Sequence, residues 1–258
     1  MSALPLISVI TATWNCADTL PHCLSSVARQ DYRNLEHVVV DGASTDGTLL
    51  VLEEHRHQIA ICISEPDHGI YDALNKGIAL ASGEVVGFLH ADDFYASDDV
   101  LSAIAEQFRD PSVCAVYGDL QYVRKTDTTK VVRRWKSNPF QARDLAWGWM
   151  PPHPTLYVRK DWYSRIGGFD TRFRISADYL SIRQLFGHPD FKAVYLSKTL
   201  VNMRLGGVSN RSLKSIARKT KEDWEVLRHL DLDLRKSAFA VAAKNLGKLG
   251  QLFPDKRE

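Results

Sequence analysis

The sequence predicts an α/β fold: a Rossmann-like, mostly parallel sheet flanked by helices, with a helical C-terminal tail. Three observations lead there. Four short apolar runs each stop abruptly at polar or acidic residues. Between them lie segments whose apolar residues recur at helical spacing, the alternation that builds βαβ units. Past residue 112 this alternation gives way to paired strands and irregular aromatic segments.

The first run, Ile7-Ser8-Val9-Ile10-Thr11, breaks at Ala12-Thr13-Trp14-Asn15. A helix follows, with Asp18 placed to cap it and Leu20, Leu24 and Val27 on one face. The second run, His37 to Val40, ends in Asp41-Gly42-Ala43-Ser44, and a helix over Thr45 to His57 starts at Asp46-Gly47. The third, Ile59 to Ile63, ends in Ser64-Glu65-Pro66-Asp67. Ile70 to Leu80 then forms a helix whose core face carries Tyr71, Leu74 and Ile78. The fourth run, Val85 to Leu89, ends in His90-Ala91-Asp92-Asp93, and a helix over Asp98 to Phe108 stops before Pro111. Cys114 to Leu120 and Val131 to Trp135 read as two strands around a polar turn. Asp178 to Phe186 reads as a short helix and Val194 to Met203 as a strand. Two helices, over 211–230 and 234–250, close the chain.

With 258 residues, 45% hydrophobic and 25% charged, the chain can bury a sizeable core. No apolar stretch approaches the roughly 20 residues of a membrane helix. Met1 to Pro5 runs straight into the first strand, so no signal peptide is expected. Cys16, Cys23, Cys62 and Cys114 lack paired short spacing, which argues against zinc or a disulfide framework and for the cytoplasm. Residues 211–258 hold 12 Lys/Arg against 7 Asp/Glu, while the rest holds 21 against 24. The basic tail reads either as helices packed on the domain or a second subunit, or as a peripheral contact with an anionic membrane surface. No basic patch is interleaved with aromatics, so a nucleic-acid partner is not expected.

Ligands of open α/β sheets bind at the carboxyl ends of the strands. Four such ends carrying Asp and Gly therefore describe one concave polar site. Ser8 to Asn15, Val39 to Thr48, Glu65 to Gly77 and His90 to Asp93, in this order, resemble glycosyltransferase family 2, the inverting sugar-nucleotide transferases of the GT-A fold. The resemblance returns at Gly167-Gly168-Phe169-Asp170, Ala177-Asp178-Tyr179 and Gly206-Gly207-Val208-Ser209, and is closest to bacterial enzymes of exopolysaccharide, capsule or O-antigen synthesis. It implies a GT-A domain over residues 1–210, with a nucleotide-sugar half (1–112) and an acceptor half (113–210), and a helical extension over 211–258.

The resemblance also implies the site. The donor is a nucleoside-diphosphate sugar, the cation Mg²⁺ or Mn²⁺, and the acceptor a glycan or polyprenyl-linked hydroxyl. Asp92 first and Asp93 second would hold the cation, since hard cations take carboxylate oxygens; an acidic pair capping the next helix is the plainer account. His90 stands where the family has Asp or Asn, and an imidazole there suits a ribose hydroxyl better than a metal. Ala12, Asp41 and Asp67 line the nucleotide edge. Trp14 either stacks on the base or is core, and Lys76 either meets a phosphate or is solvated. Asp178, at the family's separation from Asp92, is the expected general base, with a helix N-cap as its plain alternative and Asp119 as its rival. His153, between two prolines, stands beside the site, and Arg204 precedes the glycine loop that would close on the diphosphate. The Gln-x-x-Arg-Trp motif of processive synthases is absent, so single addition is expected. A sugar nucleotidyltransferase would need a Gly-rich basic loop after the first strand, and a dinucleotide oxidoreductase Gly-x-Gly-x-x-Gly; Ala12 to Cys16 has neither. A non-catalytic nucleotide-sugar-binding protein would lack the acids at 92 and 178.

Overall fold

The structure, a computed structural model, describes residues 4–206 and 213–230. The first four principal strands are β1 (Ile7–Thr13), β2 (Leu35–Asp41), β3 (Ile61–Ser64) and β4 (Val85–Phe88). They pair in parallel in the order β3-β2-β1-β4, so all four carboxyl ends lie along one edge. Helices α1 (Leu20–Ala28), α2 (Thr48–Glu54) and α3 (Ile70–Leu80) make the crossovers. Gly77 of α3 lies so close to β1 that a Cβ there would stand 2.3 Å from Ile10 Cγ2. That contact seats α3 directly on the strand leading to the site.

The remaining sheet departs from the parallel expectation. β5 (Phe94–Tyr95) and α4 (Val100–Gln107) lead into β6 (Ala115–Val123), β7 (Val131–Trp135), β8 (Tyr157–Arg159), α5 (Lys160–Ile166), α6 (Ala177–Gly187) and β9 (Ala193–Arg204). β8 inserts antiparallel between β4 and β6, β9 runs parallel to β6, and β7 and β5 are antiparallel additions. Both halves therefore share one nine-stranded sheet. Strand residues alternate between two cores, as period-2 geometry requires. Ile10, Val86, Tyr117 and Val158 face α3, α5 and α6. Val9, Val85, Val116 and Tyr157 face α1 and α4.

Helix boundaries differ at two caps. Thr19, not Asp18, occupies the N-cap of α1, with Pro21 in the first turn. α2 starts only at Thr48, because Asp46 turns back to accept the Thr48 N–H (2.8 Å) and the Ala17 N–H (3.2 Å).

The basic tail begins with α7 (Leu213–His229). Val226 and Leu227 are fully buried in the core shared with α6, and Trp224 packs on it. Each fully buried aliphatic of that size contributes about 1.5–3 kcal/mol. Packing thus runs across the boundary expected at residue 210, and Trp224 and Leu227 face protein rather than lipid. The second tail helix expected over 234–250 lies outside the described residues. No helix among the described residues is long and apolar enough to cross a membrane.

Candidate active site

Three strand ends build the first wall. The turn after β1 and the turn after β2 are laced together: Asn15 N–H donates to Ser44 Oγ (2.8 Å), Thr45 N–H to Asn15 Oδ1 (2.9 Å) and Cys16 N–H to Thr48 Oγ1 (2.8 Å). The lacing holds Asn15 and Ala43 at φ 51° and 58°, a left-handed conformation seldom adopted without Gly and retained only where surrounding structure dictates it. Trp14, 65% exposed, is not core; its indole stands open beside Gly42 and Asp67. A Cβ on Gly42 would lie 2.5 Å from Asp67 Oδ2 and 3.5 Å from Trp14 Cδ1. These three residues form one niche, which a side chain at position 42 would narrow.

Asp41 behaves differently. Its carboxylate is fully buried and accepts from Ser44 N–H (2.9 Å), Ser44 Oγ (2.5 Å) and Ser64 Oγ (2.7 Å). It shapes the turn that presents Gly42. Lys76 is not free in solvent: it pairs with Glu65 (2.8 Å) and donates to the Pro66 carbonyl (3.0 Å), strapping the end of β3 to α3. Ala12 lies within β1, partly buried beneath the niche.

The second wall is acidic. Asp92 is half-buried, while Asp93 is fully buried behind it. Asp93 Oδ1 accepts the Arg204 N–H (3.1 Å), and its Oδ2 has no protein partner. Burial first, and then the Asp92 charge, push the Asp93 carboxyl well above the usual carboxylate range. Arg204 donates to the Asp92 carbonyl (2.5 Å) and to His22 Nδ1 (2.7 Å), and lies over the Phe94 ring. Since the guanidinium must donate, His22 accepts at Nδ1 and its imidazole is neutral; burial and the Arg204 charge both lower its pKa. Arg204 thereby fixes the turn that carries the acid pair.

Across from this wall stands Asp178, half-buried in the first turn of α6. Ser176 holds the N-cap position, while Asp178 Oδ1 accepts the Tyr179 N–H (2.7 Å) within the first turn, so the carboxylate also satisfies one of the free amides of that turn. The Tyr71 hydroxyl donates to the Ile175 carbonyl (2.6 Å) and lies 3.2 Å from Asp178 Oδ1. His90 and His153 sit between the two acidic positions, their ring centroids 6.2 Å apart. His153 stacks on Phe88. Burial depresses both imidazoles, His153 to about 4, against the opposing charges of Asp178 and, for His90, of Asp92. His90 Nδ1 and His153 Nε2 have no protein hydrogen-bond partner. Asp119 is held on its own strand: its Oδ1 accepts from Ser137 N–H and the Tyr195 hydroxyl, both at 2.8 Å.

Asn75 had no place among the expected site residues. Its side chain pairs with Phe169 as a strand neighbour would, donating to the carbonyl and accepting the N–H, both at 2.8 Å. Gly168, at φ +73°, passes so close that a Cβ would meet Asn75 Oδ1 at 2.7 Å. Tyr71 and Asn75, four residues apart on one helical face, thus join the two halves. Their i, i+4 spacing, with both residues polar-tipped on an otherwise apolar face, was the available signal.

No three His, Cys, Asp or Glu side chains among the described residues converge as a complete metal cage. Asp92 with the unpartnered Oδ2 of Asp93 nevertheless fits a cation such as Mg²⁺, which binds through one or two carboxylates and completes its shell with water and substrate phosphate.

Known proteins match this chain along most of its length. The family model for glycosyl transferase family 2 matches residues 8–173. A PGL/p-HBAD biosynthesis glycosyltransferase of Mycobacterium bovis is 32% identical over 239 residues, 90% of this chain and 87% of the relative. The chondroitin synthase of Pasteurella multocida is 26% identical over 227 residues, 87% of this chain and 23% of the relative. Among solved structures, a mannosyltransferase of Pyrobaculum calidifontis in complex with GDP-Man and Mn²⁺ superposes with a TM-score of 0.68 at 24% identity, covering 97% of this chain and 73% of its own. TarS of S. aureus in complex with UDP-GlcNAc gives 0.64 at 19% identity, with 96% and 81% covered. These likenesses show the GT-A fold.

Proposed function

Because the chain belongs to glycosyltransferase family 2 and is a glycosyltransferase, we propose that it moves one sugar, with inversion, from a nucleoside diphosphate to an acceptor hydroxyl in bacterial surface-glycan synthesis. The acceptor is a glycan or a polyprenyl-linked sugar. One observation carries the reading: a line of contacts joins the acid pair of one half to Asp178 of the other, with His90 to His153 at 6.2 Å and His153 to Phe169 at 5.7 Å between ring centroids, Phe169 to Tyr71 at 5.5 Å, and the Tyr71 hydroxyl 3.2 Å from Asp178 Oδ1.

Each residue then has a task. The Trp14–Gly42–Asp67 niche receives the nucleoside, with the base on the exposed indole. Asp92, backed by Asp93, would hold Mg²⁺ or Mn²⁺, and the ion would supply positive charge against the leaving diphosphate. His90 and His153, kept neutral by burial, offer hydrogen bonds to sugar or ribose hydroxyls without adding charge. Asp178 takes the proton of the acceptor hydroxyl. That oxygen bonds to the anomeric carbon as the bond from carbon to phosphate oxygen breaks on the opposite face. Pre-set geometry of this kind is worth several kcal/mol of barrier. The enzyme works at the inner face of the cell membrane, where such acceptors and cytoplasmic donors meet.

Thermal shift with UDP-, GDP- and dTDP-sugars and Mn²⁺ identifies the donor. Asp178→Asn is then expected to lower turnover roughly 10²–10⁴-fold with donor affinity kept. The same result for Asp119→Asn, with Asp178→Asn unaffected, would overturn the assignment.

A further inference from the structure

A general base acts only if its carboxylate is held within a fraction of an ångström of the acceptor hydroxyl. Asp178 lies two residues beyond the N-cap of α6, where the backbone amides lack intrahelical partners. Asp178 Oδ1 takes the Tyr179 N–H (2.7 Å), and the residues just before it are held from α7. Glu222 Oε2 accepts the N–H of Ile175 (2.8 Å) and of Ser176 (3.0 Å). Asp223 Oδ1 accepts the Ser176 hydroxyl (2.8 Å). The two acids are 8% and 1% exposed.

The peptide group joining Ile175 to Ser176 is consequently held at both polar atoms. Its carbonyl takes the Tyr71 proton from α3, and its N–H gives to Glu222 from α7. Tyr71 also touches Asp178 itself. Two adjacent carboxylates buried at one turn are expensive to desolvate. They are not required to anchor α7, because Val226 and Leu227 already do so one turn further on. Their charge also complements the positive end of α6.

We propose that Glu222 and Asp223 are positioning residues for the base. Together with Tyr71, α7 sets the Ile175–Asp178 turn, so donor binding and acceptor activation can be lost separately. The inference rests on Asp178 being the base.

The test uses the full chain and whichever of UDP-glucose, UDP-GlcNAc, GDP-mannose or dTDP-rhamnose binds best with Mn²⁺. Nucleotide release with water as acceptor gives kcat, calorimetry gives donor Kd, and amide exchange reports order at residues 174–179. Glu222→Ala is expected to lower kcat about 10–100-fold, the loss that a 1 Å misplacement brings. Donor Kd should stay within about twofold, and exchange should rise at 174–179 alone. Glu222→Gln, whose carbonyl oxygen accepts the same two amides, should recover most of kcat. Val226→Ala, which loosens the apolar anchor, should lower Tm without a comparable loss of kcat.

Wild-type kcat and protection in Glu222→Ala would overturn the proposal, as would a parallel loss of donor affinity or an equal kcat loss in Val226→Ala. Should Glu222→Ala fail to fold, Ser176→Ala decides: it removes only the Asp223 bond, a threefold or greater fall in kcat is expected, and no fall refutes. If Asp178→Asn keeps wild-type turnover, the base assignment itself fails. If Asp178→Asn is inactive and Glu222→Ala is not impaired, only the positioning role fails.

Discussion

Removing the Asn75 side chain tests how the two halves are joined. In Asn75→Ala both bonds to Phe169 disappear, and neither the Phe169 N–H nor its carbonyl gains a substitute from the shorter side chain. An unsatisfied buried group costs about 1–3 kcal/mol. Asn75 is half-buried, so water recovers part of the loss, and about 2–4 kcal/mol remains for the pair. In a chain of this size each kcal/mol lowers Tm by roughly 2–4 °C, so Tm should fall by about 4–16 °C. The effect on activity has its own direction. The Phe169 ring meets Tyr71, Phe88 and His153 at centroid distances of 5.5, 5.4 and 5.7 Å. Releasing the Phe169 backbone therefore disturbs the acceptor side of the cleft and leaves the Trp14 niche intact. Differential scanning calorimetry and donor titration on the same preparation read both effects. A stability within about 0.5 kcal/mol of wild type, or a loss of donor affinity as large as the loss of turnover, would refute this reasoning.

Gly42→Ala should leave Tm nearly unchanged, because the added Cβ meets only the movable end of Asp67, 2.5 Å away. It should still weaken donor binding about tenfold by displacing that carboxylate, which titration calorimetry would read. His37 and His153 are both buried, with pKa values lowered to about 4 from 6.5. Each stays neutral in the fold while the unfolded chain binds its proton. Stability is therefore full above pH 6.5 and declines as pH falls from 6.5 toward 4, by up to about 3 kcal/mol per group. His37→Gln should flatten that decline in urea titrations between pH 7 and 4. Tyr71→Phe removes one of the two holds on the Ile175–Ser176 peptide and should lower turnover with little change in donor affinity.

The strand ends were legible because each apolar run stops at residues a strand core cannot hold, and Gly42, Asp67 and Asp92 all fall at such stops, whereas Asp178, in the first turn of α6, was reached only through the family's spacing from Asp92. The parallel half followed from the same pattern. β8 was not visible: three residues, Tyr157 to Arg159, pass straight into α5 with no turn signal between them. Lys76 and Asp41 show the limit for polar residues. Nothing local tells that one strand end and a neighbouring serine pair consume their hydrogen-bonding capacity. Trp14 was undecidable for a similar reason, since exposure depends on the turn around it. The tail illustrates the longest reach. The apolar residues of α7 fit a lipid-facing helix as well as a packed one, and the burial of Val226 and Leu227 in the core assigns that part of the tail to packing. Ser176 and Glu222 are 46 positions apart, a separation over which residue spacing carries no message.

The charges in the cleft make a last prediction. Burial keeps His90 and His153 neutral. Arg204 gives N–H donors to the Asp92 carbonyl and to His22, and its charge lies against the Asp92–Asp93 pair. Asp92 and Asp178 supply negative charge facing His90. A bare nucleoside diphosphate entering this cleft would meet carboxylates without a dedicated counter-charge, whereas one arriving with Mg²⁺ or Mn²⁺ brings the cation that Asp92 can ligate. At a separation of about 4 Å, like charges near a protein surface repel by up to roughly 4 kcal/mol. Chelation is thus expected to weaken donor affinity at least about tenfold, which corresponds to about 1.4 kcal/mol. Asp92→Asn should behave oppositely to a loss of binding groups: its affinity for the bare diphosphate rises while its dependence on the cation shrinks. Calorimetric titration of both proteins with donor, in EDTA and in Mn²⁺, distinguishes these cases. Equal donor affinity with and without the cation in the unmodified protein would show that some other group neutralises the diphosphate, and Arg204, released from His22, would be the first to test.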